Sequence, residues 1–261
     1  MRNRIWAICG LTSMICTASV QAGPTGAAEM LGELVRDYAA HDDLGDKPLI
    51  FGLQIEGEGG GQWTVDVDRN RKKKAVLRQG LPDGSTFMLK TDLVTLRKLY
   101  RGEISALTAA GRANMSDPAP LDLASIGGWR PSMDLLSDTI MPLCFHFFTR
   151  GRPEVVRFSK DHARNIHGGN AVAFYYQKGL RTAWYQLEKG MFINRDKKDA
   201  TNPFPTLLIF TRGNGKARLD KKVMQVEDGM TVFVPAGMLH QIWTESTAGL
   251  EFVIVMFGKG A

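Results

Sequence analysis

The segment that constrains the fold most is residues 229–244, which reads Gly-Met-Thr-Val-Phe-Val-Pro-Ala-Gly-Met-Leu-His-Gln-Ile-Trp-Thr. An apolar run is followed by a proline and a glycine, and a second run opens with a histidine. Because proline cannot donate to a strand ladder and glycine adopts turn geometries that other residues resist, the pattern predicts two strands joined by a tight turn. Side chains alternate along a strand, so His240, Ile242 and Thr244 share one face. We expect His240 to point into the mouth of a barrel.

The spacing of this segment, Gly-x5-Pro-x-Gly-x2-His-x3-Thr, resembles the second signature motif of the cupin family. That motif ends in asparagine, where this chain has Thr244. The resemblance covers about residues 165–258 and implies a jelly-roll barrel. It also implies that His240 is one of several inward-facing metal ligands. The alternative is that His240 is a hydrogen-bonded polar residue at the rim of the barrel.

The chain from residue 158 onward has the pattern of an all-β domain. Short apolar or alternating runs are separated by glycine and Asn/Asp turns, without helical periodicity. Residues 212–216 predict a hairpin turn between two of these runs. The expected strands are 171–177, 182–187, 191–194, 206–211, 216–219, 222–226, 230–234, 241–245 and 250–257. Short strands at this spacing predict an all-β jelly-roll barrel.

The first cupin motif, Gly-x5-His-x-His-x3–4-Glu-x6-Gly, is degenerate in this chain. Counting from the flanking glycines places Asp196 and Lys198 where that motif has its two histidines. The same count places Thr206 where it has glutamate. A tight metal site needs several converging ligands. We therefore expect no cofactor, and the residues that would hold a metal are His240 and Asp196.

Without a metal, the mouth of the expected barrel is apolar and aromatic with one polar group. The residues expected to line it are Tyr176, Trp184, Tyr185 and Ile242, with His240 as the polar handle. This composition suits a small organic ligand. The sequence contains no nucleophile–base set of the Ser/His/Asp kind and no glycine-rich phosphate loop followed by a helix.

The amino-terminal half predicts an α+β domain, an antiparallel sheet with helices on one face. Residues 29–38 have apolar positions at helical spacing. Residues 62–68 alternate, with Trp63, Val65 and Val67 on one face, which is typical of a half-buried antiparallel strand. The other expected elements are strands at 48–56, 74–79 and 85–90 and helices at 91–100 and 104–110.

The order of these parts resembles the sterol carrier protein type 2-like domain. The matching stretches are Trp63-Thr-Val-Asp-Val, Thr86-Phe-Met-Leu-Lys, Thr95-Leu-Arg-Lys-Leu, Gly102-Glu-Ile and Ala110-Gly-Arg. The resemblance implies an apolar tunnel for a lipid or another hydrophobic molecule, without catalysis. Phe87, Leu89 and Leu96 are then expected to line it. The alternative is that these side chains fill a core, because sequence does not separate a lined cavity from a packed one.

The first residues have the pattern of a secretory signal peptide. Arg2 and Arg4 precede an apolar run at 5–20, and small residues at 20–22 offer a cleavage site. The run is too short for a membrane span. We expect residues 1–22 to be removed and the mature protein to be periplasmic or secreted.

The net charge and the cysteine content limit the classes of partner and the chemistry expected of this chain. The net charge of the whole chain is +6, and removal of the predicted leader with Arg2 and Arg4 leaves +4. This charge is mild, and no basic patch interleaved with aromatic residues accompanies it, so nucleic acid is not expected. The basic run at 69–74 predicts a solvated hairpin tip, with contact to anionic lipid headgroups as the alternative.

Cys144 is the only cysteine beyond the predicted leader. Its apolar neighbourhood favours a buried structural thiol.

Breaker-rich residues at 114–120 predict a domain boundary. A connector with helical periodicity follows, and we expect it to lie between the domains or to cover an edge of the barrel. The expected units are a leader at 1–22, a sterol-carrier-like domain at 27–123, a helical connector at 124–157 and a cupin barrel at 158–261.

Two functions stay open. One is an exported, non-catalytic binding protein, with a hydrophobic ligand in the first domain and a second small ligand, or a homodimer contact, in the barrel. The other is a divergent cupin enzyme, a metal-dependent dioxygenase or isomerase that holds Fe, Mn, Ni or Zn through His240. Asp196, His162 or His167 would then replace the missing ligands. The missing ligands favour the first function.

Overall fold

The computed structural model describes residues 26–40, 49–68, 74–113, 117–196 and 200–261. The predicted leader and most of the predicted basic hairpin tip lie outside these ranges, so both stay predictions. None of the described helices is long and apolar enough to cross a membrane.

The amino-terminal domain is an α+β layer. Its second helix begins where Asp92 Oδ1 accepts the N–H of Thr95 at 2.7 Å. The predicted helix at 29–38 and the four predicted strands are confirmed within one or two residues. The elements are α1 (Ala27–Ala40), β1 (Leu49–Glu56), β2 (Gly61–Asp68), β3 (Lys74–Gln79), β4 (Thr86–Asp92), α2 (Leu93–Tyr100), α3 (Ala106–Ala110) and β5 (Asp122–Ile126).

The sheet of this domain is mixed, with strand order β3-β2-β1-β4-β5. The expected all-antiparallel sheet is wrong at one pair, because β1 and β4 run parallel. Strands β1, β2 and β3 form an antiparallel meander, after which the chain crosses from the β3 edge to the free side of β1. The register pairs Leu53 with Leu89, and both are buried. Burial of this shared apolar face therefore stabilises the parallel pairing of β4 with β1, although pairing β4 with β3 would need only a hairpin.

Strand β5 was not expected from the sequence. It pairs antiparallel with β4, from Asp122 opposite Lys90 to Ile126 opposite Thr86. Its sequence, Asp-Leu-Ala-Ser-Ile, shows little alternation of apolar and polar residues. The free edge of β4, rather than local pattern, therefore determines that these residues extend.

One apolar cluster fills the space between one face of the sheet and the helices. Phe51 is fully buried there and stacks on Phe87, with ring centroids 5.4 Å apart. The opposite face of the sheet exposes Ile50 and Val76. The prediction of helices on one face is therefore confirmed.

The helical connector contributes to this amino-terminal cluster. It consists of a short turn α4 (Met133–Leu135), a π-helical turn (Leu136–Ile140) and α5 (Met141–Phe148). Pro142 has no N–H, so the regular hydrogen-bond ladder is interrupted at this point. Cys144 on α5 is buried, as predicted, and burial raises the pKa of its thiol to about 12. It is a structural, unreactive thiol.

The carboxy-terminal domain contains nine strands among the described residues, all paired antiparallel in one curled sheet. Inward side chains from both halves of this sheet form a single core. This agrees with the predicted all-β barrel. The strands are β6 (Arg164–Ile166), β7 (Gly169–Gln177), β8 (Leu180–Leu187), β9 (Phe192–Ile193), β10 (Thr206–Leu219), β11 (Lys222–Glu227), β12 (Thr231–Val234), β13 (His240–Trp243) and β14 (Leu250–Phe257).

The predicted hairpin turn at 212–216 is wrong. Residues Thr206–Leu219 form one strand, β10, which pairs with β12 and β14 in its first half and with β11 and β13 in its second half. A bulge after Phe210 bends it. Gly213 has φ +78°, and a Cβ there would lie 2.1 Å from the carbonyl oxygen of Gly249. The glycines let the strand bend and pass close to its neighbour instead of reversing.

The two domains meet where α3 lies beside β6 and β7. Arg164 donates hydrogen bonds to the carbonyl oxygens of Thr108, Ala109 and Gly111 at 2.8–2.9 Å. The Thr108 hydroxyl accepts the N–H of Ala173 at 2.8 Å. These contacts satisfy the carbonyl end of α3 and the free edge of β7 together.

Candidate functional site

His240 is the first residue of β13, and only 3% of its surface is exposed. Its backbone N–H donates to Ala200 O at 2.8 Å, and its Nδ1 lies 3.2 Å from Met238 O. Since a carbonyl only accepts, Nδ1 carries the proton in this contact. The turn before β13 therefore fixes both the position and the tautomer of the imidazole, and Nε2 is left as an acceptor.

Asn194 connects this strand to the turn between β6 and β7. Its N–H donates to His167 O at 3.0 Å, and its side-chain amide donates to His240 O at 3.2 Å. Gln241 Nε2 in turn donates to Asn194 O at 2.8 Å. Asn194 adopts φ +56°, a conformation that asparagine tolerates better than most residues. Three chain segments are thus brought together around the two histidines.

A cleft of about 410 Å³ opens beside this network. Its apolar wall includes Phe192, whose ring stacks on Trp243 at 5.1 Å, nearly parallel. The guanidinium of Arg195 lies 5.3 Å from the centre of the Phe192 ring. The lining residues are His167, Gly168, Gly190, Met191, Phe192, Asn194, Arg195 and Asp196.

The turn at Gly168 brings the β6–β7 hairpin against the cleft wall. His167 and Gly168 both have positive φ, 55° and 89°. A Cβ on Gly168 would lie 2.3 Å from the carbonyl oxygen of Phe192. Only glycine permits this close approach, so Gly168 sets the width of the cleft.

Burial lowers the pKa of His240 below its ordinary value, and the nearby His167 adds to this effect. The neutral imidazole is therefore the stable form inside the barrel near neutral pH. His240 and Asn194 thus hold the turn before β13 and the β6–β7 turn together without a buried charge, and Asn194 and His167 line the cleft.

Acidification is expected to destabilise the metal-free protein through His240. The unfolded state binds a proton at the ordinary histidine pKa while the native state resists it, so the free energy of unfolding decreases as the pH falls below about 6.5. Urea unfolding at about pH 7.5 and about pH 5 measures the loss. His240→Gln should show a smaller difference between the two pH values. An equal difference would contradict the assignment.

The metal prediction rests on His240 and Asp196. Asp196 is exposed at the rim of the cleft, whereas His240 is buried. Across the described ranges, no group of three or more His, Cys, Asp or Glu residues could hold a metal ion. Lys198 lies outside the described residues. His162 bonds Ser159 Oγ at 2.8 Å in a separate 3-10 turn. The metal assignment remains a prediction.

The predicted lining of the barrel mouth is divided among three places. Tyr185 and Ile242 lie inside the barrel core, where Tyr185 stacks on Phe252 at 5.5 Å. Trp184 lies on the other face of β8 and contacts Phe158. Tyr176 packs with side chains at the domain contact. Adjacent residues of one strand point to opposite faces, so Trp184 and Tyr185 cannot line one cavity.

The three residues predicted to line a lipid tunnel, Phe87, Leu89 and Leu96, are all buried in the amino-terminal cluster. The ring of Phe87 contacts both Phe51 and Trp129, at 5.4 and 5.3 Å. This packing agrees with the alternative that they fill a core.

Several cleft residues were not expected from the sequence. Phe192, Asn194 and Arg195 carried no motif, and Gly168 was noted only as part of the His167-Gly-Gly-Asn turn. The paired glycines after a histidine are the signal that could have indicated a close backbone approach.

Comparisons with known proteins agree with this geometry. Residues 188–259 match the family model described as AraC-like ligand binding domain. No curated protein matches the chain.

Several of the solved structures that are similar to part of this chain are described as cupins. A cupin 2 conserved barrel domain protein from Salinispora arenicola is 13% identical, with 41% of this chain and 91% of that chain covered, at a TM-score of 0.36. A predicted oxalate decarboxylase from Thermotoga maritima is 18% identical, with 34% and 79% covered, at 0.31. A cupin 2 conserved barrel domain protein from Rhodopseudomonas palustris is 15% identical, with 34% and 61% covered, at 0.31.

Residues 188–259 are similar to the AraC-like ligand-binding domain. The curled antiparallel sheet agrees with the barrel that the motif at 229–244 predicted. The amino-terminal half lies outside the matched residues.

Proposed function

We propose that the protein binds a small organic molecule in the cleft beside His167 and His240. The observation that carries the proposal is the match of residues 188–259 to a ligand-binding domain model. That range contains Met191, Phe192, Asn194 and Arg195 of the cleft wall as well as His240.

The chemistry of the cleft supports a ligand with a flat apolar part and a polar edge. Its volume, about 410 Å³, lies in the range of small-molecule sites. The Phe192 ring, which stacks on Trp243 and has the exposed Arg195 guanidinium over it, gives the wall an apolar part. His167, Asn194 and Asp196 are the polar residues of the lining besides Arg195. An acidic group on the ligand would pair with the Arg195 guanidinium.

Three finer parts of the proposal rest on the sequence. The leader pattern at 1–22 supports export to the periplasm or medium. The sterol-carrier-like resemblance supports a hydrophobic ligand in the amino-terminal domain, which native mass spectrometry of gently purified protein would detect as a retained lipid. The cupin resemblance supports a homodimer through the barrel. The tight ring packing around Phe87 counts against a large tunnel.

A thermal-shift screen of small carboxylic acids, sugars and aromatic acids tests the proposal on the mature two-domain protein. A binder should raise the melting temperature of the wild type, and calorimetry should give one site per chain. His167→Asn keeps a residue that tolerates positive φ but removes the imidazole. It should weaken the binder by about tenfold, equivalent to about 1.4 kcal/mol. His162→Asn, outside the cleft, is the matched control and should bind as the wild type does.

Two results would contradict the proposal. One is a binder that holds equally well to His167→Asn, which would place its site elsewhere. The other is one tightly held Fe, Mn, Ni or Zn per chain that is lost in His240→Ala, which would favour the metal-dependent enzyme. We expect substoichiometric metal that is unchanged by this substitution.

A further inference from the structure

A second cleft, of about 540 Å³, lies where α5 and residues 152–158 pass over the outer face of β7. It touches both domains, and none of its residues lines the cleft beside His167. Its lining residues are Phe145, Arg152, Pro153, Glu154, Val156, Phe158, Phe174 and Tyr175.

The aromatic rings of this cleft form two contacting groups. Phe145 on α5 is buried and meets Tyr175 edge-to-face at 5.5 Å. Phe158 contacts Phe174 at 5.0 Å and Trp184 at 5.7 Å. Yet Phe158 is 54% exposed, which leaves much of its ring in water at the rim. Covering such a ring with an apolar group is favourable by roughly 25 cal/mol for each Å² removed from water.

The charged groups of this cleft compensate each other. Glu154 lies 2.9 Å from Arg152 and 2.6 Å from His146, and its side chain is only 12% exposed. The hydroxyl of Tyr175 donates to Gln177 at 3.2 Å. A charged ligand would have to displace one of these partners, whereas an uncharged one would leave them intact.

We propose that this cleft binds an uncharged, planar aromatic molecule that lies between Phe158 and the Phe145–Tyr175 pair. The volume fits a molecule of two or three fused or linked rings, within the range of small-ligand sites. Offset or edge-to-face contact with the surrounding rings would orient it. The concave shape between a helix and a sheet suits a small molecule better than a flat protein surface. Because α5 and β7 belong to different domains, the ligand would also bridge them.

Titration of the full-length mature protein with N-phenyl-1-naphthylamine, an uncharged dye that fluoresces in apolar surroundings, tests this proposal. We expect saturable binding of one dye per chain. Phe158→Ala removes the exposed ring and should weaken binding by about tenfold or more. Phe233→Ala is the matched control, because Phe233 is similarly exposed, at 56%, on β12. It should bind within about twofold of the wild type.

Further measurements distinguish binding in this cleft from binding in the cleft beside His167 and from a contact between two copies of the chain. His167→Asn should keep full affinity for the dye, and the anionic analogue 1-anilinonaphthalene-8-sulfonate should bind at least about tenfold more weakly. Non-saturable binding, equal effects of Phe158→Ala and Phe233→Ala, or loss of dye in His167→Asn would overturn the proposal. So would a wild-type dimer that Phe158→Ala converts to a monomer, since the ring would then cover a second copy.

Discussion

Replacement of Gly168 by alanine is expected to destabilise the protein by about 3 kcal/mol or more and to abolish ligand binding in the first cleft. Two costs add at this position. A residue with a side chain is strained at φ +89°, and its Cβ would lie 2.3 Å from the carbonyl oxygen of Phe192. The hairpin must then move away from β9, which breaks the hydrogen bond between Asn194 and His167. Urea unfolding and calorimetry with a binder from the screen measure the two effects.

Gly190→Ala is the matched control for this prediction. Gly190 lines the same cleft and has a similar φ of 83°, but a Cβ there would meet no atom within 4 Å. It carries the conformational cost alone, about 1–2 kcal/mol, and should keep ligand affinity. Equal losses in the two variants would show that strain, rather than the close backbone approach, determines the shape of the cleft.

Replacement of Arg164 by methionine is expected to lower the free energy of unfolding by about 2–4 kcal/mol. The guanidinium donates to three carbonyl oxygens at the end of α3, so its removal takes a short hydrogen bond from each of them at a partly buried contact. Thr108 O and Ala109 O then keep only the longer bonds from the N–H groups of Gly111 and Leu121, at 3.2 and 3.3 Å. Methionine keeps most of the apolar stem. Because these bonds join the domains, we also expect the wild type to unfold in one transition and the variant in two. Chemical denaturation followed by tryptophan fluorescence and circular dichroism measures both changes.

The control for this prediction is Arg78→Met. Arg78 pairs with Asp66 at 2.9 Å, but its side chain is 58% exposed. An exposed pair contributes about 1 kcal/mol or less, so the unfolding curve should scarcely move. Arg164→Lys keeps the charge but not the forked geometry and should be intermediate. A wild-type-like Arg164→Met protein would show that packing of the apolar contact, rather than this arginine, joins the domains.

The barrel was predictable because its signals are local. Alternating apolar runs and the glycine and proline positions at 229–244 depend on side-chain direction and backbone freedom, which are properties of short segments. The same local signals failed at residues 212–216. Glycines there permit either a chain reversal or a bend. The strand bends because neighbouring strands pair with both of its halves.

In the sheet of the amino-terminal domain, too, local sequence patterns predicted the elements but not how they pair. The individual strands were expected, but the parallel pairing of β1 with β4 and the existence of β5 were not. Strand order depends on which edges are free and which faces can be buried together. Neither property can be read from a segment of eight residues.

The candidate site also contains residues that the sequence indicated and residues that only the structure revealed. His240 was expected from its motif, and the structure places it in the barrel beside the β6–β7 turn. His167 was considered only as a replacement ligand, and Asn194 was not considered. The aromatic residues expected around His240 were chosen by composition, and the structure separates them.

By itself, the sequence determined an α+β domain followed by an all-β barrel, the burial of Cys144 and the position of His240 at the start of a strand. Each of these depends on periodicity or on a short motif, because side-chain alternation and glycine or proline geometry act within a few residues. Only the tertiary structure decided the mixed strand order, the continuous β10, the Arg164 contact and the two clefts. These features depend on distances between atoms far apart in the chain, and such distances are set by the burial of whole faces against each other.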